Sequence, residues 1–473
     1  MWDIELTDGE LPLKRQLYQT LRDRITSGRI PAGEALPSTR ELAKQLAVSR
    51  NTVCEAYEML LAEGYVVSRR GAPTRVAEGL VLERSHAEMP KPRTVAHTAP
   101  VVADLHTGQP DLRLFPAFQW GMAMRRACGG LTLSQLGYTG PQGLPQLREE
   151  ISAWLFRSKG MLAPPEDIFI TAGATHALHT IAQLLGEGGR GLMVEDPCHT
   201  GMLRTLQSKG VPVYPVAADE QGLQTELLSG QNAAAVYVTP SHQFPLGGIL
   251  PAARRAALIR FAREHGLYIV EDDYDSEFRY SGEPVAPLFS ADPQRVLYTG
   301  TFSKVLFPAL RIGYAVVPKA LQARFSQLRT QTDVQNPVAE QAALADFLHA
   351  RRLDKHVRQM RKVYGERRQV LLNALREHFG DGWRTWGDAA GLHLALQFER
   401  LRFDASFVSR CRQSGIRLAT VEQHSIVKGR HTDKLLIGYG HLTPDEIRRT
   451  VAVLAEFIQR ELKREDGCVK RGE

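Results

Sequence analysis

Gly300-Thr301-Phe302-Ser303-Lys304, followed closely by Pro308-Ala309-Leu310-Arg311, decides how the larger part of this chain reads. One lysine, two hydroxyl residues and an arginine within a few positions can serve an aldehyde and a phosphate on the same ligand. Upstream, Glu271-Asp272-Asp273-Tyr274-Asp275 stands at the end of an apolar run. A carboxylate cluster there can bind a metal, hold a structural ion pair or pair with a protonated heterocycle. Any one of these residues alone is more often structural than functional; it is their order along the chain that carries the signal.

Working outward, helical patterns from Asp104 onward alternate with short apolar runs at 167–171, 191–195, 234–239, 268–271 and 296–299. Such alternation predicts a large, mainly parallel α/β sheet. A helical stretch over 336–375 and strands near 391–398 and 434–439 predict a smaller α+β lobe, and 464–473 reads as a frayed polar tail. Gly173-Ala174-Thr175 follows one strand and opens a helix, where free amides and the helix dipole favour an anion.

Toward the amino terminus the composition shifts. Residues 78–103 carry Glu-Met-Pro-Lys-Pro-Arg-Thr and His-Thr-Ala-Pro, in which proline disrupts helix and sheet periodicity, so the segment reads as a linker between domains at 1–77 and 104–473. Within the first domain Ser38-Thr39-Arg40-Glu41 has capping-box spacing, which predicts a helix whose apolar face is Leu42, Ala43 and Leu46. Ala47-Val48 can make a turn and Ser49 can cap a second helix carrying Arg50, Asn51, Thr52, Val53 and Tyr57. Two helices joined so tightly form a helix-turn-helix, whose second member can place its first polar residues in a DNA major groove. The run from Tyr65 to Val76 predicts a two-stranded wing, with Arg69, Arg70 and Arg75 toward phosphates or the minor groove.

The chain has 473 residues and a formal net charge of +7, which permits a polyanionic partner without demanding one. Its length exceeds what one hydrophobic core supports. The five cysteines form no CxxC pair, so neither a disulfide framework nor a metal site is expected, and a reducing cytoplasm fits. No apolar stretch is long enough to span a bilayer, so no membrane partner is expected.

Residues 11–77 resemble the GntR winged-helix family through Gly28-Arg-Ile-Pro-Ala-Gly33, Leu36-Pro-Ser-Thr-Arg40 and Val48-Ser-Arg-Asn-Thr-Val53. The resemblance implies a double-stranded DNA operator as partner, with Ser38, Arg40, Ser49, Arg50, Thr52, Arg69 and Arg70 at or supporting the DNA surface. Pro73 stands where the family has the second glycine of its wing-tip Gly-x-Gly-Thr pattern.

Residues 104–460 resemble the fold-type I enzymes of pyridoxal 5′-phosphate (PLP), the aspartate aminotransferase superfamily. The resemblance implies that Lys304 holds PLP as a Schiff base, Asp272 pairs with the pyridine nitrogen and Tyr274 binds the ring hydroxyl. It also implies a phosphate cup of Thr301, Ser303 and Arg311, joined by Ala174 and Thr175. Tyr138, in Tyr138-Thr-Gly-Pro-Gln-Gly143, resembles the tyrosine that reaches the phosphate of the neighbouring subunit, which implies a head-to-tail homodimer.

Three positions depart from the enzyme pattern. His199 stands at the usual ring-stacking tyrosine, Phe244-Pro-Leu-Gly247 replaces Asn-Pro-x-Gly, and Leu436 occupies the place of the arginine that commonly takes a substrate carboxylate. Arg204 and Arg417 are candidates to replace that arginine. A winged helix before an aminotransferase-like domain resembles the MocR subfamily of GntR regulators, which implies a transcription regulator sensing PLP or its adduct with an amino compound. The competing reading is an active PLP-dependent aminotransferase with an accessory winged helix. A scaffold that keeps only the fold is the third.

Overall fold

Ser38 starts a helix by the reciprocal bonding its spacing predicts. Its Oγ accepts from the Glu41 amide at 3.3 Å while the Glu41 carboxylate accepts from the Ser38 amide at 3.2 Å. The computed structural model describes residues 4, 6–7, 11–69, 71–80, 100–282, 285–387, 389–399 and 401–469, with side chains as far as 462. The chain divides into two units, Met1–Ala96 and His97–Glu473. Residues 81–99 of the segment read as a linker, and Arg70, lie outside the described residues.

In the first unit α1 (Leu13–Thr26) and α2 (Thr39–Gln45) both pack on α3 (Arg50–Ala62), which is followed by the antiparallel pair β1 (Val66–Val67) and β2 (Arg75–Val76). Ala47 takes φ 53°, the left-handed bend that lets α3 leave α2 after so short a turn. The core is Leu17, Leu21, Leu42, Val53, Ala56 and Leu60 with Val66 and Val76 of the wing. One face of each helix is thereby buried, leaving the charged face of α3 outward.

The second unit is built on an eight-stranded sheet. Its small opening strand is β3 (Ala103–Asp104), and the sheet strands in chain order are β4 (Ile168–Thr171), β5 (Gly191–Asp196), β6 (Val213–Asp219), β7 (Gly222–Leu223), β8 (Ala233–Val238), β9 (Tyr268–Asp273), β10 (Val296–Thr301) and β11 (Gly313–Val316). They lie in the order β4-β11-β10-β9-β8-β5-β6-β7. The four central pairings are parallel, and β11 runs antiparallel to both its neighbours. Burial of both faces explains why these strands read as continuous apolar runs rather than alternating ones.

The smaller lobe holds β12 (Trp383–Trp386), β13 (His393–Phe398), β15 (Ala419–Thr420) and β16 (Lys434–Gly438), ordered β12-β13-β16-β15, while β14 (Ile416–Arg417) pairs with β3. Ala103, placed at the end of the linker in the sequence reading, is thus already a buried strand residue. A second correction concerns the tail. The last helix, Pro444–Val469, runs through most of 464–473, because Arg460-Glu-Leu-Lys-Arg-Glu465 is rich in strong helix formers and each added residue gains a backbone bond. No helix among the described residues is long and apolar enough to cross a membrane.

Candidate functional site

The parallel strands β8, β9 and β10 end side by side, and their carboxyl-terminal residues meet at one cavity of about 400 Å³. This is where ligands bind in open α/β sheets. Lys304, Asp272, Tyr274, Thr301, Ser303, Arg311, Ala174, Thr175 and His199 all line it. Tyr138 does not; the residue is 88% exposed, close in sequence to the exposed apolar residues Leu133 and Leu136.

Asp272 lies at the end of β9 and is buried. Tyr237 donates to one carboxylate oxygen at 2.7 Å and Thr299 to the other at 3.1 Å. Burial pushes the carboxyl up to about 6, with the two hydroxyls pulling the other way. A buried carboxylate so close to ionisation is suited to a cationic partner. Lys304 Nζ donates to the Gly108 carbonyl, and burial lowers its pKa against the opposing pull of Asp275 and Asp272. A largely desolvated amine of this kind more readily gives up its proton and becomes nucleophilic.

The helix α7 (Ala174–Gly186) follows helices α4 (Ala117–Gly130), α5 (Leu133–Leu136) and α6 (Pro145–Lys159). Gly173 precedes α7 at φ 85° and no side chain caps it, so its first amides face the cavity mouth unclaimed. A Cβ at Gly173 would come within 3.0 Å of Arg311 Nη2, which shows how closely the guanidinium approaches that helix start. Arg311 itself sits at φ 52° and donates to the Ala172 carbonyl at 2.6 Å. Thr301 Oγ1 accepts from the Ser303 amide at 3.2 Å and donates to Ser303 Oγ at 3.0 Å, fixing both hydroxyls beside it. Free amides, two hydroxyls and a guanidinium form a cradle with the chemistry of a phosphate site. The residues present therefore fit PLP.

Tyr274 shares a 2.9 Å hydrogen bond with His242 Nδ1, which also lies 2.9 Å from Asp275. His242, Asp275 and His393 bring their ligand atoms within 4.8 Å of one another; of these, His242 and Asp275 are bonded into the network that holds Tyr274, while His393 Nε2 lies 3.3 Å from the Pro245 carbonyl. Burial, Lys304 and Arg204 depress His199 to about 4, leaving a neutral ring edge-on to Phe244. Leu436 packs in β16 against Ala218, Leu246, Ala395 and Val421 and does not line the cavity. Arg204 and Arg417 are likewise absent from its lining, and Arg417 lies 3.5 Å from Asp104. The lining thus has Lys304 and Arg311 as its two lysine or arginine side chains.

Sequence reasoning missed Tyr237, Gly108, His393 and His424, all in this lining. Tyr237 had a signal: a tyrosine inside the apolar run Ala233–Val238 must find a partner for its hydroxyl. His393 and His424 arrive from the smaller lobe, and nothing local marks them.

In the first unit Arg40, Arg50 and Arg69 are exposed. Arg50 Nε reaches Thr39 Oγ1 at 3.4 Å, and Arg75 donates to the Gly33 carbonyl at 2.7 Å. Ser38 and Ser49 spend their hydroxyls as helix caps, Ser49 accepting from the Thr52 amide at 3.1 Å and sharing a 2.9 Å bond with Thr52 Oγ1.

Comparison with known proteins agrees on both units. Residues 13–76 match the family of bacterial regulatory proteins of the gntR type, and residues 103–454 match aminotransferase class I and II. The chain is 32% identical over 464 residues to the probable rhizopine catabolism regulatory protein MocR of Rhizobium meliloti, covering 94% of this chain and 93% of that protein. The chain belongs to the MocR subfamily of GntR regulators. It is 34% identical over 443 residues to the pyridoxine biosynthesis regulator PdxR of Corynebacterium glutamicum, covering 94% and 95% of the two chains. Among solved structures, a Pyrococcus horikoshii kynurenine aminotransferase superposes with TM-score 0.70 at 26% identity, covering 77% of this chain and 92% of that one. A multiple substrate aminotransferase from Thermococcus profundus gives TM-score 0.71 at 25% identity, covering 78% and 93%. This MocR-type chain is therefore a helix-turn-helix transcription regulator with an aminotransferase-like domain, a fold whose members generally bind PLP.

Proposed function

We propose that this regulator binds PLP covalently through Lys304 and that the occupied cavity alters how the winged helix engages its operator. The observation that carries the reading is the convergence of Lys304, Asp272 and the Thr301–Ser303–Arg311 cradle on one 400 Å³ cavity. When bound, PLP supplies an aldehyde that exchanges amines and a ring that withdraws electrons. Asp272, oriented by Tyr237 and Thr299, holds a proton on the pyridine nitrogen, and Tyr274, held by His242, hydrogen-bonds the ring oxygen. Ala174 and Thr175 offer amides to the phosphate beside Arg311.

The effector is PLP itself or an amino compound held without an α-carboxylate clamp, because among the described residues no third lysine or arginine lines the cavity and a buried carboxylate without a cation is costly. This favours sensing over transamination of ordinary amino acids. Arg40, Arg50, Thr52 and Arg69 meet the duplex, with Ser38 and Ser49 fixing the helices that present them. A head-to-tail homodimer brings Tyr138 of one subunit to the phosphate of the other, consistent with its exposed apolar surroundings. Two recognition helices then read paired half-sites.

Borohydride reduction of the purified protein followed by peptide mapping tests the assignment. The cofactor is expected on the peptide containing Lys304, and Lys304→Ala abolishes the covalent adduct. Label on another lysine, or none, overturns it.

A further inference from the structure

The aminotransferase-like unit contains another cavity, of about 530 Å³, that shares no lining residue with the Lys304 cavity. Six cations line it, Arg157, Lys159, Arg279, Arg351, Arg358 and Arg361, against the carboxylates Glu277 and Asp354. Those carboxylates are already engaged. Lys159 Nζ lies 2.9 Å from Glu277 and 2.7 Å from Asp273, which hold it protonated despite its burial, and Arg157 Nη2 lies 3.6 Å from Asp354.

Among the described residues, Arg279, Arg351, Arg358 and Arg361 have no carboxylate at ion-pair distance. Arg358 and Arg361 donate only to backbone carbonyls, those of Asp354 and Glu277. The Nε atoms of Arg157 and Arg279 are buried without any hydrogen-bond partner. The helix Arg352–Phe379 begins here, its N-cap Arg351 supplying no side-chain cap, so the positive end of the helix dipole adds to the guanidiniums. Cations gathered round a recess repel one another, and the buried donors of Arg157 and Arg279 stay unsatisfied, so an anion reaching them relieves both costs.

We propose that this cavity is a second ligand site, for a small metabolite bearing a phosphate ester or pyrophosphate. The planar donor fork of arginine matches phosphate oxygens, and the volume lies in the range of small-molecule sites. A free metabolite is favoured over the backbone of a duplex because the exposed Arg351, Arg358 and Arg361 stand round a recessed floor, where the paired Lys159 and Arg157 are only 7% and 19% exposed and Arg279 is half-buried. The two cavities are separated by a thin wall. Asp275 lines the first and Ser276 the second; His393 lines the first and Ala390 the second. Ser241 lines the second, and the next residue, His242, holds Tyr274 and Asp275 of the first. A ligand in the second cavity therefore bears on the segments that position Tyr274.

Isothermal titration of the full chain with pyrophosphate tests the site, with variants separating it from the phosphate cradle at Arg311. Arg311→Gln should retain a pyrophosphate-binding event. Arg279→Gln combined with Arg361→Gln should weaken that event by about tenfold or more, as loss of charge-assisted forks requires. Thermal unfolding of the double variant is measured alongside, and Arg358→Gln alone, on the exposed helix face, should still weaken binding several-fold if the double variant folds poorly. Excess random duplex DNA should leave binding unchanged. The proposal is overturned if Arg311→Gln removes all pyrophosphate binding, if neither the folded double variant nor Arg358→Gln weakens it, or if duplex displaces it.

Discussion

In the winged-helix unit Arg40, Arg50 and Arg69 stand exposed on helices started by two serine caps and on a wing, whereas in the aminotransferase-like unit Asp272 is buried at a strand end and Lys304 is half-buried in the turn after the next strand. The first arrangement needs only local structure to present its chemistry, because solvent keeps every guanidinium charged at little cost. The second creates its chemistry through the fold: burial, hydrogen bonds and neighbouring charge shift groups that would be unremarkable in water. Damage to function should accordingly be graded and local in one unit, and steep in the other.

The steepest expected effect is at Asp272. Asp272→Asn removes the carboxylate that answers a protonated ring nitrogen, and breaking such a buried pair costs about 3–5 kcal/mol, a hundredfold or more in PLP affinity measured by absorbance titration. In the cofactor-free protein the same change acts oppositely. A folded-state pKa raised to about 6 means the native protein holds the proton more tightly than the unfolded chain, so this group's contribution to stability falls as pH rises from about 4 through 6. Asp272→Asn should therefore flatten that part of the pH dependence of thermal unfolding. An unchanged profile together with unchanged PLP affinity would erase the contrast between the units.

A smaller, selective effect is expected at Arg50. Arg50→Ala should cost about 1–3 kcal/mol on the operator and less on random duplex, as loss of one base contact does. Equal losses on both would move Arg50 to the phosphate backbone. Least of all, Ser38→Ala should lower the stability of the first unit by about 1 kcal/mol, read in denaturant unfolding, with PLP affinity unaltered. A loss of PLP binding there would mean the cap does more than hold α2.

This contrast also explains what could be read from sequence. Ser38, Glu41, Ser49 and the turn at Ala47 act within a few residues of one another, so their spacing carries the geometry. Lys304, Arg311, Asp272 and the start of α7 were legible because strand ends are marked by where apolar runs stop. Tyr237, His242, His393 and His424 were not, since they reach the cavity or its network through pairing of β8 with β9 and through the smaller lobe, which no local pattern encodes. The helix over 464–469 is not legible because a mostly polar run at the end of a sequence resembles a tail even when it continues a stretch that favours helix.

Operator footprinting of the full chain with and without PLP tests most directly whether PLP acts as a regulatory ligand. The wild-type footprint or its affinity should change when PLP is added, while Lys304→Ala should give the same footprint at every PLP concentration. A wild-type protein carrying PLP on Lys304 whose footprint and affinity do not respond to the cofactor would contradict it.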